Sequence, residues 1–104
     1  MAEIMYLVIP CYNEEEMLPI TSQVLIEKMR ELIQGGKISP ESRVMFVDDG
    51  SKDRTWELIE QLNESDDIFT GIKLSRNKGH QNALLAGLMT AKERADIIVS
   101  MDAD

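Results

Sequence analysis

The chain has 104 residues, enough for one domain with a single core and little beyond it. Hydrophobic residues make up 43% and aromatics 5%, so packing rests on Ile, Leu, Val, Ala and seven Met. With 19 Asp and Glu against 11 Lys and Arg the formal net charge is -8, which excludes a nucleic-acid binder needing a cationic footprint.

A single Cys11 allows no internal disulfide, and no stretch has the basic start and apolar middle of an export signal. No apolar run approaches the ~18 residues of a membrane span. The chain therefore reads as cytoplasmic. In chain order, Met5 to Ile9 is a short apolar run that reads as a buried strand, ended by Pro10, which cannot donate to a ladder. Glu14, Glu15 and Glu16 then stand where a helix should begin, beside its positive dipole end. Leu18, Leu25, Met29, Leu32 and Ile33 recur at helical spacing until Gly35 and Gly36 stop the helix. Lys37 to Ser42 reads as a surface connection.

Val44 to Val47 is a continuous apolar run, as expected of a strand covered on both faces, and it stops abruptly at Asp48 and Asp49. Gly50 supplies the free φ for a sharp turn, and Asp53 is placed to cap a helix starting near Thr55. That helix carries Trp56, Ile59 and Leu62 on one face. Phe69 to Leu74, interrupted by Gly71, reads as a strand near a sheet edge. A loop over Ser75 to Gly79 leads into a helix over Gln81 to Arg94. Its small residues Ala83, Ala86, Gly87 and Ala91 allow close approach to a sheet. Asp96 to Met101 is a fourth strand, followed by Asp102 and Asp104.

This βαβαβαβ order calls for a three-layer α/β/α fold on a mostly parallel four-stranded sheet, Rossmann-like, with every strand exit on one edge. Ligands of open α/β sheets bind at that edge. Four polar loops from distant parts of the chain meet there: PCYNE, DDGS, SRNKG and DAD. Residues two apart on an extended segment point to one side, so Asp102 and Asp104 have the spacing of a metal pair. Their hard oxygens suit Mg2+ or Mn2+, which take remaining ligands from water and a diphosphate.

Taken together, Ile9-Pro-Cys-Tyr-Asn-Glu14, Val47-Asp-Asp-Gly-Ser51 with Asp53 and Thr55, Ser75-Arg-Asn-Lys-Gly79 with Ala83 and Gly87, and Met101-Asp-Ala-Asp104 resemble the nucleotide-binding half of a family 2 glycosyltransferase. Within that family the PxYNE and RNxGxxxAxxxG spacing is most similar to the dolichol-phosphate mannosyltransferase and polyprenyl-phosphate glycosyltransferase branch. The resemblance implies a GT-A fold and an inverting transfer of sugar from a UDP- or GDP-linked donor to an acceptor such as a polyprenyl phosphate. It also implies residue roles. Pro10 and Tyr12 would line the base and ribose pocket, with Asn13 beside them. Glu14 would accept from ribose hydroxyls, and Asp49 would bond the base, with Asp48 supporting the turn. Asn77 and Lys78 would lie nearest the phosphates, the lysine offsetting donor charge. Asp102 would reach the ribose and share the metal with Asp104.

A family member would continue beyond the metal motif to an acceptor site and a general base. The expectation is therefore a truncated donor-binding half, itself inactive, from a parent protein associated with the cytoplasmic face of a membrane. Its uncovered sheet edge beside the fourth strand would be free to pair with another copy. His80 reads as a surface or capping residue, Cys11 as structural and Trp56 as core. Three alternatives are distinct in sequence terms. A receiver-like domain would carry its acidic pair after the first strand, a dinucleotide binder would need a glycine-rich first turn, and a stand-alone nucleotide-binding or regulatory module would have no transferase activity.

Overall fold

In chain order the elements are β1 (Met5–Cys11), α1 (Leu18–Gln34), β2 (Arg43–Asp48), α2 (Thr55–Ser65), β3 (Phe69–Lys73), α3 (His80–Ala91) and β4 (Ile97–Ser100). They are seen in a computed structural model that describes residues 2–101. All strand pairs are parallel, in the order β3-β2-β1-β4. The chain steps outward from β1 to β3, then returns to lay β4 on the other side of β1. That reversal lies beside the carboxyl end of β1, where such sheets open a crevice.

Period-two alternation divides the core. Leu7, Ile9, Val44 and Phe46 face one way and pack against Leu18, Leu25 and Met29 of α1 and Ile59 of α2. Tyr6, Val8, Met45 and Val47 face the other way, against Ala83 and Ala91 of α3. The three layers predicted from sequence are therefore present. Phe46 is fully buried, which contributes about 2–3 kcal/mol of apolar burial, and its ring stacks on Phe69 with centroids 6.0 Å apart. The small-residue face of α3 serves close approach, because a Cβ on Gly87 would run into the side chains of Val8 and Val47.

Several boundaries differ from expectation, each for a physical reason. β1 continues through Pro10 to Cys11. Val8 accepts from Met101 on the β4 side and Cys11 from Asp49 on the β2 side. By alternation the nitrogen of Pro10 faces the β4 side, beyond the end of that strand, where no ladder bond is lost. α1 begins at Leu18 with Pro19 in its first turn and no acidic residue there. Glu14 to Glu16 form a preceding turn, in which the Glu14 carbonyl accepts from Met17 and Leu18. The connection from 37 to 42 is not a surface segment throughout, since Ile38, Ser39 and Ser42 are buried. The Ser42 hydroxyl accepts the Met5 N–H at 2.9 Å. α3 spans His80–Ala91, not Gln81 to Arg94. β3 is an edge strand, as its glycine suggested, and β4 is the other.

Candidate functional site

The loops after β1, β2 and β3 converge at the carboxyl rim of the sheet, and the first two are laced together. Asn13 adopts φ 52°, a left-handed conformation that asparagine tolerates better than most residues. Its N–H donates to the Ser51 hydroxyl at 2.8 Å, and its side-chain oxygen accepts from the Lys52 N–H at 2.9 Å. Glu14 N–H donates to the Thr55 hydroxyl at 2.8 Å, and Glu15 N–H to Asp53 at 3.3 Å. Asp53 also accepts the Thr55 N–H at 2.9 Å and the Thr55 hydroxyl. It therefore serves the start of α2 while holding the first loop. Burial pushes its carboxyl up, but the bonds from Thr55 and Glu15 outweigh this and hold it below the usual range.

The acidic pair after β2 is buried. Asp48 accepts the Ser51 N–H at 3.2 Å through Oδ1, while its Oδ2 has no hydrogen-bond partner among the described residues. An unpaired buried carboxylate oxygen costs stability, so this aspartate is not explained by folding alone. Asp49 accepts the Lys78 N–H at 2.7 Å, tying the third loop to the second. Asn77 in turn accepts the Gly79 N–H at 3.1 Å. Gly50 makes this junction possible. Its φ is 72°, and a Cβ there would overlap the backbone of Arg76 and Asn77.

Between these loops lies an open cavity of about 330 Å3. Pro10, Cys11, Tyr12 and Glu14 form its β1 side; Asp49, Asn77, Gly79 and His80 close it. A smaller cavity of about 130 Å3 adjoins it, bounded by Leu84, Ser100 and Met101 and sharing Pro10 and His80 with the first. Of the residues singled out in sequence, Pro10, Tyr12, Glu14, Asp49 and Asn77 thus share one cavity. Asn13 and Asp48 stand behind it as loop supports, and Lys78 is exposed with its side chain outside the lining. Asp102 and Asp104 lie outside the described residues. Among the described residues no cluster of three or more His, Cys, Asp or Glu side chains suits a metal ion.

His80 is exposed at the first residue of α3, as read from sequence, and it also lines both cavities. The available signal was its position directly after a rim glycine. Cys11 lines the larger cavity but is 2% exposed, and burial, reinforced by Glu14 and Asp48, pushes its thiol up to about 12. It stays a thiol, which fits the structural role read from sequence.

The family model for glycosyl transferase family 2 matches residues 6–104. The chain belongs to that family. Proteins similar to it include the uncharacterized glycosyltransferase YkoT of Bacillus subtilis, 50% identical over 97% of this chain and 30% of the relative. The undecaprenyl-phosphate 4-deoxy-4-formamido-L-arabinose transferase of Pectobacterium atrosepticum is 41% identical over 93% of this chain and 28% of its own length. The chain thus spans under a third of these curated relatives. Among solved structures, the mannosyltransferase PcManGT from Pyrobaculum calidifontis, in complex with GDP-Man and Mn2+, superposes with a TM-score of 0.69. It is 22% identical, covering 100% of this chain and 28% of that one, and shows a shared fold. The family 2 and GT-A expectations are both met.

Proposed function

We propose that this chain is the donor-binding part of an inverting glycosyltransferase that moves a sugar from a UDP- or GDP-linked donor to a polyprenyl phosphate. The observation that carries the reading is the rim cavity. It sets an aromatic ring, two carboxylates and an amide from three separate loops around one space. Asp49 is placed to accept from a base N–H, Tyr12 to cover apolar ring area, and Glu14 to accept from ribose hydroxyls. Relatives named for undecaprenyl-phosphate and bactoprenol substrates support the lipid-phosphate acceptor.

A divalent cation, Mg2+ or Mn2+, fits the hard oxygen donors of Asp102 and Asp104. The segment leading to them is anchored at the cavity edge by the Met101 N–H bond to Val8 at 3.1 Å. Bound there, such a cation would supply charge that stabilises the departing nucleoside diphosphate. The 104 residues alone transfer no sugar on this reading. No described helix is long and apolar enough to cross a membrane, and the parent enzyme works at the cytoplasmic membrane face where its acceptor lies. The open edge at β4 is a place for a second copy to pair.

Calorimetric titration with UDP and GDP in the presence of Mn2+ tests the reading. Saturable binding of one of them, weakened at least tenfold in Asp49→Asn, is the expected result. Indifference to both nucleotides, or preference for NAD, would overturn it.

A further inference from the structure

We propose that His80 holds the diphosphate of the ligand, donating a ring N–H to a phosphate oxygen from the wall between the two cavities. This rests on the donor-site reading above and assigns its anion contact. The chain is acidic, and the charged side chains lining the larger cavity, apart from His80, are Glu14 and Asp49, both repelling a diphosphate. Among the described residues the smaller cavity adds Leu84, Ser100 and Met101. Among the described residues bounding either space, His80 carries the one basic side chain, with a ring N–H to donate.

Position supports the same assignment. Asp49 and Asn77 fix the Lys78 and Gly79 N–H groups at 2.7 and 3.1 Å. Gly79 then turns with φ 94° and ψ 150°, a conformation closed to residues with a side chain. The chain is thereby steered so that residue 80 borders both cavities. Arg76 and Lys78, the other cations of this loop, are exposed and line neither cavity. A ligand whose base sits against Tyr12 and Asp49 must carry its phosphates past Pro10 and His80 to reach the β4 side.

The test compares UDP and GDP with uridine and guanosine by calorimetry on the 104-residue chain, without metal. His80→Ala should weaken the preferred diphosphate roughly tenfold, the worth of one charge-assisted hydrogen bond, and change the matching nucleoside less than about twofold. His80→Asn should restore part of the loss through its amide N–H. In the unsubstituted protein, the imidazole 15N resonances should shift on adding the diphosphate and not the nucleoside, a readout independent of how the variants fold. Equal losses for nucleoside and diphosphate, no loss at all, unmoved resonances, or a larger loss in Lys78→Ala would each overturn the assignment. Failure of the unsubstituted chain to bind any nucleotide, both without metal and with Mn2+ added, would overturn the donor-site reading and this inference together. Normal nucleotide binding with an indifferent His80 would overturn only the latter.

Discussion

The β1–β2 side of the rim and the β4 side belong to one sheet but are held in different ways. At the first, backbone N–H groups of Asn13, Glu14 and Glu15 end on side chains rooted at the start of α2, and Asn13 returns a bond to Lys52. The strands below are buried apart from their half-buried first residues, Met5 and Arg43. At the second, β4 has four residues, and Ile97, Val99 and Met101 are 39%, 42% and 40% exposed. Ile97 and Val99 pair with Met5 and Leu7, so their side chains share the α1 face of the sheet, which no described element covers at β4. The rim cavity is therefore set in advance by polar bonds within the chain, whereas the segment leading to Asp102 rests on a short edge strand.

The sharpest way to break this contrast is Gly50→Ala. It combines a forbidden φ with overlap onto the Arg76–Asn77 backbone and should cost about 3 kcal/mol or more. Gly36→Ala, at nearly the same φ of 71° but with open space around it, should cost only about 1 kcal/mol. Urea unfolding of both variants separates dihedral strain from the locking of two loops, and equal losses would remove the lock. Next in size is Thr55→Val, which deletes the acceptor for Glu14 and a donor to Asp53. About 1–2 kcal/mol is expected, together with faster amide exchange at Glu14.

Acid supplies a third test. Asp53 is held below the usual carboxyl range, as described above. Asp66 is too, first by the Ile68 N–H, against some burial, then by Arg30. Both carboxyls titrate lower folded than unfolded. Their stabilisation is complete above about pH 5 and drains away as the pH falls through and below about 4. Asp53→Asn should flatten that part of the stability curve, while an unchanged acid limb would show that the lacing carries no charge-dependent stability. Smallest of all, Ile97→Thr on the exposed edge should shift unfolding by no more than about 0.5 kcal/mol. A loss comparable to that of Thr55→Val would mean that β4 is better covered than its exposure indicates.

Much of this was legible in the sequence. Apolar runs at Val44 to Val47 and Met5 to Ile9, glycines at 35, 36 and 50, and the small residues of α3 each answer to one local rule, and the fold obeys them. The aspartates after β2 announced a rim site because carboxylates at a strand exit have no cause in packing. What escaped were features decided between loops. Glu14 to Glu16 look like a helix start until Thr55 and Asp53, some forty positions away, draw their N–H groups into a turn. Pro10 looks like a strand end until its neighbours show which side its nitrogen faces. Asn13 carries no sign of its staple to Lys52. His80 is the helix-start residue the sequence suggests, but the cavities it borders exist only after β1, α3 and β4 have come together.

Cys11 gives the molecule a built-in witness to its own opening. The sulfur is sealed beneath the rim, and its proton is held so firmly that thiolate chemistry is silent while the sheet is intact. Alkylating reagents at neutral pH will therefore mark chiefly those chains in which the loops covering Cys11 have opened. Labelling rate then becomes a clock for how often the rim comes undone.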